Sequence, residues 1–460
     1  MPRIVLLALA LAACSDGRGD DPTTSSTSSP ASLGEVTATG GLSDASCEAT
    51  DHPLAVRCEL TSASSDTVTW TVREAGDGGD VQRTLVTDGT VHQVLLWGLA
   101  AQTDYVVEAV GSDGQASGAL TAGSHGLEGL SIVTTGATDA FDSVLVPLQC
   151  DDTSGLVSFD AEGRVTWFAH LAPGSTDMRG GISGFAVSPD GFVAGLQGDG
   201  VVEVGVDGSE LRFVQPSEVQ HHDLTVDEQG RIYVVDARQV DGYVLDGVEI
   251  FSGTESVARF DLADVITPSG TTGGDMFWAN TFPGAIDYTH TNSVELGPDG
   301  TGLLSLKAQN TVMQVVLDPD AADFGSVDWV LAGDDSDLSA TVAFTDGGGF
   351  TGQHHASWSS DGTVLLFDNG ASTSRGLELF VDPDAGTATE LRSVGVGERC
   401  PVQGATYELP DGGLLTTCAN SGEIVAHDAS GSERWSATVS CGSQAPLARG
   451  IPLQWADLGF

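Results

Sequence analysis

The sequence predicts an all-β protein in which a small β-sandwich precedes a six-bladed β-propeller. Three observations predict it. Apolar and polar residues alternate in short runs, no helical period appears, and from about residue 140 a unit of apolar runs around a glycine-bearing turn recurs along the chain.

The elements follow in chain order. Residues 1–14, "MPRIVLLALALAAC", run from one basic residue through an apolar stretch too short to span a bilayer. This is the pattern of a secretion signal. Its ending, Leu11-Ala12-Ala13-Cys14, resembles the bacterial lipobox, so Cys14 is the expected lipidation site and lipid anchor. The expected location is that of an exported lipoprotein, on the periplasmic or cell-surface face of a bacterial membrane. Residues 15–34 are rich in Ser, Thr, Asp and Pro, bury too little to pack, and read as a flexible linker. Residues 35–125 hold alternating runs such as "VTWTVRE" and "TDYVVEAVGS", the pattern of an antiparallel sandwich. Within them, Leu96, Leu99, Thr103 and Tyr105 resemble the tyrosine corner of fibronectin type III domains, one of the immunoglobulin-like sandwiches. "GSHGLEGL" then reads as a linker.

Residues 140–460 read as the propeller. The recurring turns are "DAEGRVTWFAH", "SPDGFVAGLQ", "DEQGRIYVVD", "GPDGTGLLSL", "SSDGTVLLFD" and "LPDGGLLTTC". Each sits in a stretch long enough for a four-stranded unit, which a β-helix or second sandwich does not explain. Six blades is the expected count, and seven remains compatible with the spacing.

Charge and cysteines narrow the function classes. The chain carries 65 acidic against 17 basic residues, a formal net charge of −48. Such a surface repels nucleic acid and anionic head groups, so no nucleic-acid partner is expected, and an anionic substrate needs a local cationic pocket. Apart from Cys14, the cysteines are Cys47, Cys58, Cys150, Cys400, Cys418 and Cys441. An even number in an exported chain favours disulfides. Sequence alone allows fifteen pairings of these six; the pairs expected among them are Cys47–Cys58, Cys400–Cys418 and Cys150–Cys441, the last fastening the ring. None has the close spacing of a zinc knuckle.

The histidines carry the chemistry. "QHHDLTVDEQG" (His221, His222), "YTHTNSVELGPDG" (His290, with Asn292) and "GQHHASWSSDG" (His354, His355) each place imidazoles at the start of a strand that runs to the recurring turn. One such histidine reads more simply as a turn or packing residue. Three recurrences at equivalent blade positions, bordering a pseudo-symmetry axis, read as a site. Two chemistries stay open on the residues alone. Imidazoles suit zinc or copper, with Asp223 as a further ligand. A neutral imidazole is also a nucleophile toward electrophilic sulfur or phosphorus, provided an acceptor holds its second nitrogen. Lys307 and Arg375, each shortly after a histidine strand, would favour an anionic substrate; for Arg375 a salt bridge to surface acids is as good a reading. Trp358 and Phe367 read as core. His52, His92, His125, His170 and His427 show no recurrence and receive no role.

"HHDLTVDEQGRIYVVD", "HTNSVELGPDGTGLLSLKAQNTVMQVVL", "DWVLAG" and "FTGQHHASWSSDGTVLLFDNG" with "SRGLELFV" resemble, in this order, the bacterial arylsulfotransferases, over roughly residues 150–440. The resemblance implies an aryl-sulfate sulfotransferase that needs no nucleotide donor, metal or other cofactor. A sulfuryl group would pass from a small-molecule aryl sulfate donor to a phenolic acceptor, by a ping-pong mechanism through a sulfohistidine. Position by position it implies His354 as nucleophile, and His290 and His222 as the other catalytic histidines. Asn292 and Lys307 fall on the family's substrate-binding positions, His221 is the alternative match to His222, and Arg375 and His355 are further substrate-binding candidates by their place in the sequence. The family commonly has arginine where this chain has Lys307, an exchange that keeps the charge and loses the planar fork. The rival readings are a non-catalytic ligand-binding propeller, a metal-dependent propeller hydrolase, and a surface protein whose sandwich does the binding.

Overall fold

A computed structural model of the chain describes residues 28–458, except 77–80, 151–153, 172–181, 189–190, 197–199, 270–277, 298, 346, 371 and 443–445. The signal, Cys14 and most of the linker lie outside the described residues. No helix among these is long and apolar enough to cross a membrane.

The N-terminal unit is one seven-stranded sheet folded over its own core. Its spine is the long strand Val56–Glu74, whose pairing with Val81–Leu96 breaks between Thr61 and Asp66. Before the break it pairs with Leu42–Ala49, and after it with Asp104–Val110, so a single strand serves both layers. Alternation along it buries Cys58, Leu60, Val68, Trp70 and Val72 on one face. The tyrosine corner is present: the Ala100 amide donates to the Tyr105 hydroxyl at 2.8 Å.

Six sheets follow, three of four strands and three of five; each has four antiparallel strands, to which blades 3 and 5 add the short parallel strands Ile286–Asp287 and Ala343–Phe344. Blades 2 to 6 begin with the innermost strands Ile182–Ser188, Val219–Val226, Thr291–Leu296, His354–Trp358 and Ala405–Glu408. In each of these the recurring turn joins the innermost strand to the second. The turns close on glycines in the left-handed region, as at Gly230 (φ 73°) and Gly362 (φ 78°), a conformation that a side chain would strain. Blade 1 differs. Its innermost strand is Ile451–Leu453 from the end of the chain, paired with Ser143–Gln149, so its recurring turn joins the third strand to the fourth.

Two expected boundaries are corrected. Ser32–Leu33 pairs with Gly114–Thr121, so residues at the end of the expected linker are the edge of the first sheet. The propeller starts before residue 140, because Ser131–Gly136 pairs with Glu433–Ser440 as the outer strand of blade 6. Both pairings join distant segments, which local alternation does not register.

The ring is therefore closed twice by strands, and once covalently by Cys150–Cys441, across a sequence separation of 291. Cys47–Cys58 and Cys400–Cys418 are the other disulfides among the described residues. The N-terminal unit docks on blades 1 and 2 through Trp97, which packs edge-on against Trp455 and Phe192, and through His52, stacked on Trp167. Burial lowers the His52 pKa to about 4.

A crosslink that restrains a long unfolded loop stabilises more than one restraining a short loop. Replacing Cys150 and Cys441 by serine is expected to cost about 3–5 kcal/mol in guanidinium titrations. The Cys47→Ser/Cys58→Ser pair, with a separation of only 11, is expected to cost less. Equal losses would contradict a ring-closing role for the Cys150 bridge.

Candidate active site

The innermost strands of blades 3, 4 and 5 are each irregular where their histidines sit. Pairing with the second strand slips between Gln220 and Leu224, between Thr291 and Ser293, and between His354 and Ser357. Left-handed backbone accompanies the slips, at His222 (φ 56°), His290 (φ 47°) and His355 (φ 48°). Such conformations are costly for a side chain with a Cβ, and bulges of this kind re-aim side chains. Buried amides hold the strand starts in place. Gln353 donates to Leu306 O, Thr311 O and Ser305 Oγ in blade 4, and Gln220 donates to Gly200 O in blade 2.

Three imidazoles from three blades consequently meet. The ring of His222 lies 4.8 Å from that of His290 and 6.5 Å from that of His354, centroid to centroid. His354 is 4% exposed, and its Nδ1 is 2.7 Å from Asn369 Oδ1 and 3.1 Å from Gly352 O. The Asn369 amide nitrogen donates to Cys400 O and Gln403 O, which fixes the orientation of the amide. With only acceptors facing it, Nδ1 must carry the proton, and Nε2 keeps its lone pair. Burial, then the Lys307 charge, lowers the His354 pKa to about 3, so the ring is neutral.

The other two rings are held differently. His290 Nδ1 bonds the buried carboxylate of Asp287. His222 Nδ1 is 2.7 Å from Nδ1 of His221, whose Nε2 is 3.1 Å from Asp246 Oδ1. Burial, followed by the neighbouring His290, His221, His354 and Lys307, holds His222 well below the usual histidine range. Lys307 follows the second strand of blade 4, its amide donating to His290 O. Asn292 clamps the backbone on both sides of His354, donating to Gln353 O and accepting from the His355 amide.

Other expected site residues lie elsewhere. Arg375 is corrected to a structural role: its guanidinium binds Asp368, Glu390 and Gly349 O within blade 5. His355 is turned away from His354 by its own left-handed backbone, and its Nε2 meets the Tyr407 hydroxyl at 2.9 Å. His221 stands behind His222. Asp223 pairs with the buried Arg449 at 2.6 Å. Phe367 is core, and Trp358 packs beside a core cluster. Reading the sequence alone missed Asn369, Asp246, Asp287 and Arg449; only the "FDNG" motif pointed near any of them.

Residues 198–440 match the arylsulfotransferase (ASST) family, over more than half of the chain. The chain belongs to this family. It is accordingly an arylsulfotransferase-like enzyme acting on small-molecule substrates. No curated protein matches the sequence. Among solved structures, a Bacteroides caccae protein of unknown function is similar at 13% identity and a TM-score of 0.44, covering 68% of this chain and 99% of that one. Streptogramin B lyase is similar at 11% identity and a TM-score of 0.37, covering 66% and 86%.

The buried neutral histidine has a thermodynamic consequence. His354 titrates near 6.5 when unfolded and near 3 when folded, so below pH 6.5 the unfolded chain takes up the proton first and stability falls with pH. Burial shifts His52, His222 and His355 in the same direction. Between about pH 7.5 and about pH 5, denaturant titrations of His354→Gln are expected to lose on the order of 2 kcal/mol less stability than the parent. An unchanged difference would show that His354 is not buried neutral.

Proposed function

We propose that the enzyme moves a sulfuryl group from a phenolic sulfate ester to a phenolic acceptor in two steps, through a sulfated His354. One observation carries this reading. His354 is buried and neutral, with its Nδ1 proton fixed by Asn369 and its Nε2 lone pair left as the nucleophile.

In the first step Nε2 attacks sulfur, the S–Nε2 bond forms and the S–O bond to the phenol breaks. Lys307 and His290, the latter bonded to Asp287, stabilise the equatorial oxygens as charge shifts, a role supported by their nearness to His354. His222 supplies the proton taken by the departing phenolate. In the second step the acceptor phenol attacks sulfur and returns a proton to His222. Because Asn369 is a neutral acceptor, the Nδ1 proton stays on the sulfated ring. The group displaced in the second step is then neutral imidazole rather than imidazolate, which keeps the intermediate reactive.

The cations also answer the charge problem. A chain of net charge −48 repels a sulfate ester at long range, and the site needs fixed positive charge where the sulfate sits. A large cavity of about 910 Å³ between blades 3 and 4 offers the reverse. It is lined by Asp227, Glu228, Asp299, Asp318 and Asp320, at the turn ends of the strands that start with the histidines.

Incubated with 4-nitrophenyl sulfate and no acceptor, the enzyme is expected to hold one sulfuryl group on the His354 peptide by mass spectrometry, and phenol is expected to discharge it. His354→Asn should lower turnover by roughly 10³-fold or more, and Lys307→Met by roughly 10²-fold, while Lys307→Arg restores the charge. Turnover that survives in His354→Asn, or that a chelator abolishes, would sink the covalent reading.

For location we propose export and lipid tethering at Cys14, resting on the lipobox-like "LAAC" and supported by disulfides that require an oxidising compartment. The full-length protein expressed in a Gram-negative host should carry acyl chains by mass analysis, and Cys14→Ala should not. Acylation-free parent protein would refute the tether.

A further inference from the structure

His221, Asp246 and His222 form a chain that the two-step reaction alone does not require. Asp246 is fully buried and accepts from the Thr289 hydroxyl at 2.7 Å and from the Thr291 amide, as well as facing His221 Nε2. Burial by itself would raise its pKa, but the His221 ring and these donors hold it below the usual carboxylate range. Asp246 is therefore ionised, and His221 Nε2 carries a proton toward it. The nitrogen on the other side of His221 faces Nδ1 of His222, at 2.7 Å. Two imidazole nitrogens at this distance share one proton, which can reside on either ring.

We propose that His221 and His222 act as a proton relay, in which the position of the shared proton sets whether His222 is an acid or a base. With the proton on His221, that ring is an imidazolium beside Asp246, and His222 presents Nε2–H to the site. When the leaving phenolate takes this proton, the shared proton crosses to His222 Nδ1. Both rings are then neutral, and His222 Nε2 bears a lone pair. The acceptor phenol gives its proton to that lone pair, and the shared proton returns to His221. The protons balance over the two steps.

The surrounding charges explain why two rings are used. His222 faces His290, His354 and Lys307, so a positive charge on it is opposed. His221 faces the Asp246 carboxylate, the Trp278 ring at 4.9 Å centroid distance and, more distantly, Asp236. Charge is stored where an anion balances it, one ring away from the substrate. His221 is thus a positioning residue, acting only through His222.

This inference rests on the proposed transfer through His354. The test compares kcat/KM for 4-nitrophenyl sulfate and phenyl sulfate in the parent, His221→Gln and Asp246→Asn. Glutamine retains a hydrogen bond to His222 but has no second protonation state. The 4-nitrophenolate ion leaves without a proton, whereas phenolate, a stronger base, needs one. Both variants slow, but phenyl sulfate is expected to lose roughly 100-fold more than 4-nitrophenyl sulfate in His221→Gln, and at least about 10-fold more in Asp246→Asn. A lesion that only loosens the strand would slow both donors alike. A ratio unchanged in either variant that still turns over 4-nitrophenyl sulfate, or loss of both donors in both variants, overturns the relay. If the parent forms no sulfohistidine, the transfer reading itself fails, whatever the ratio; if it forms and the ratio stays flat, only the relay fails.

Discussion

Closure of the ring is the constraint on which everything else depends. A propeller blade packs only on its neighbours, and an open array would leave two blade faces and two sheet edges uncovered. Here Ile451–Leu453 completes blade 1 and Ser131–Gly136 completes blade 6, with Cys150–Cys441 joining the same two blades. The closing segment also reaches the site. Arg449, just before the last strand, is buried against Asp223, the residue after His222, and donates to Phe185 O in blade 2. Such a pair stabilises only when both partners are in place, since either one alone is an uncompensated buried charge. Seating the chain end and setting the His222 strand are thereby one event.

Within the closed ring, three identical side chains acquire three different hydrogen-bonding environments because three different partners hold their far nitrogens. A neutral amide, Asn369, leaves His354 neutral with its proton on Nδ1. A carboxylate, Asp287, holds the Nδ1 of His290. A second imidazole, His221, leaves His222 poised between donor and acceptor. Burial makes these differences consequential, since in a wet site solvent would substitute for each partner. The Asn369 arm is also stiffened from behind: its amide is fixed by the carbonyl of Cys400, which the Cys400–Cys418 disulfide secures.

Much of this was legible from local signals. Turns need glycine in left-handed conformations, so "DEQG" and "SSDG" repeat, and the repeat gives the blades. Imidazoles shortly ahead of those turns, eight residues before the turn glycine for His222 and His354 and ten for His290, give the cluster. Local signals fail where partners are distant in sequence. Ser131–Gly136 looks like any short strand, and only pairing with Glu433–Ser440 makes it part of blade 6. Arg375 follows a histidine strand closely, yet Asp368 and Glu390 on adjacent strands of its own blade neutralise it first. Asp246 and Asp287 are two among 65 acidic residues, and nothing in their local sequence marks them as buried.

The sequence by itself determined the all-β architecture and the set of strands that carry histidines, because each follows from periodicity or turn chemistry; it supplied six cysteines able to pair, and the fold decided which of the fifteen pairings forms. The resemblance singled out His222 and His354 within their pairs, and tertiary structure decided how each is aimed into the site. Gln220-His221-His222 and Gln353-His354-His355 are the same tripeptide, yet the second histidine faces inward in blade 3 and the first in blade 5. The slip in pairing spans Gln220 to Leu224 in one strand and the shorter stretch from His354 to Ser357 in the other. Side chains alternate between faces along a strand, so a difference in bulge length reverses which neighbour points to the axis. The strand alongside advances equally at both slips, from Asp236 to Val234 and from Phe367 to Leu365, so the extra residue lies in the histidine strand of blade 3 itself.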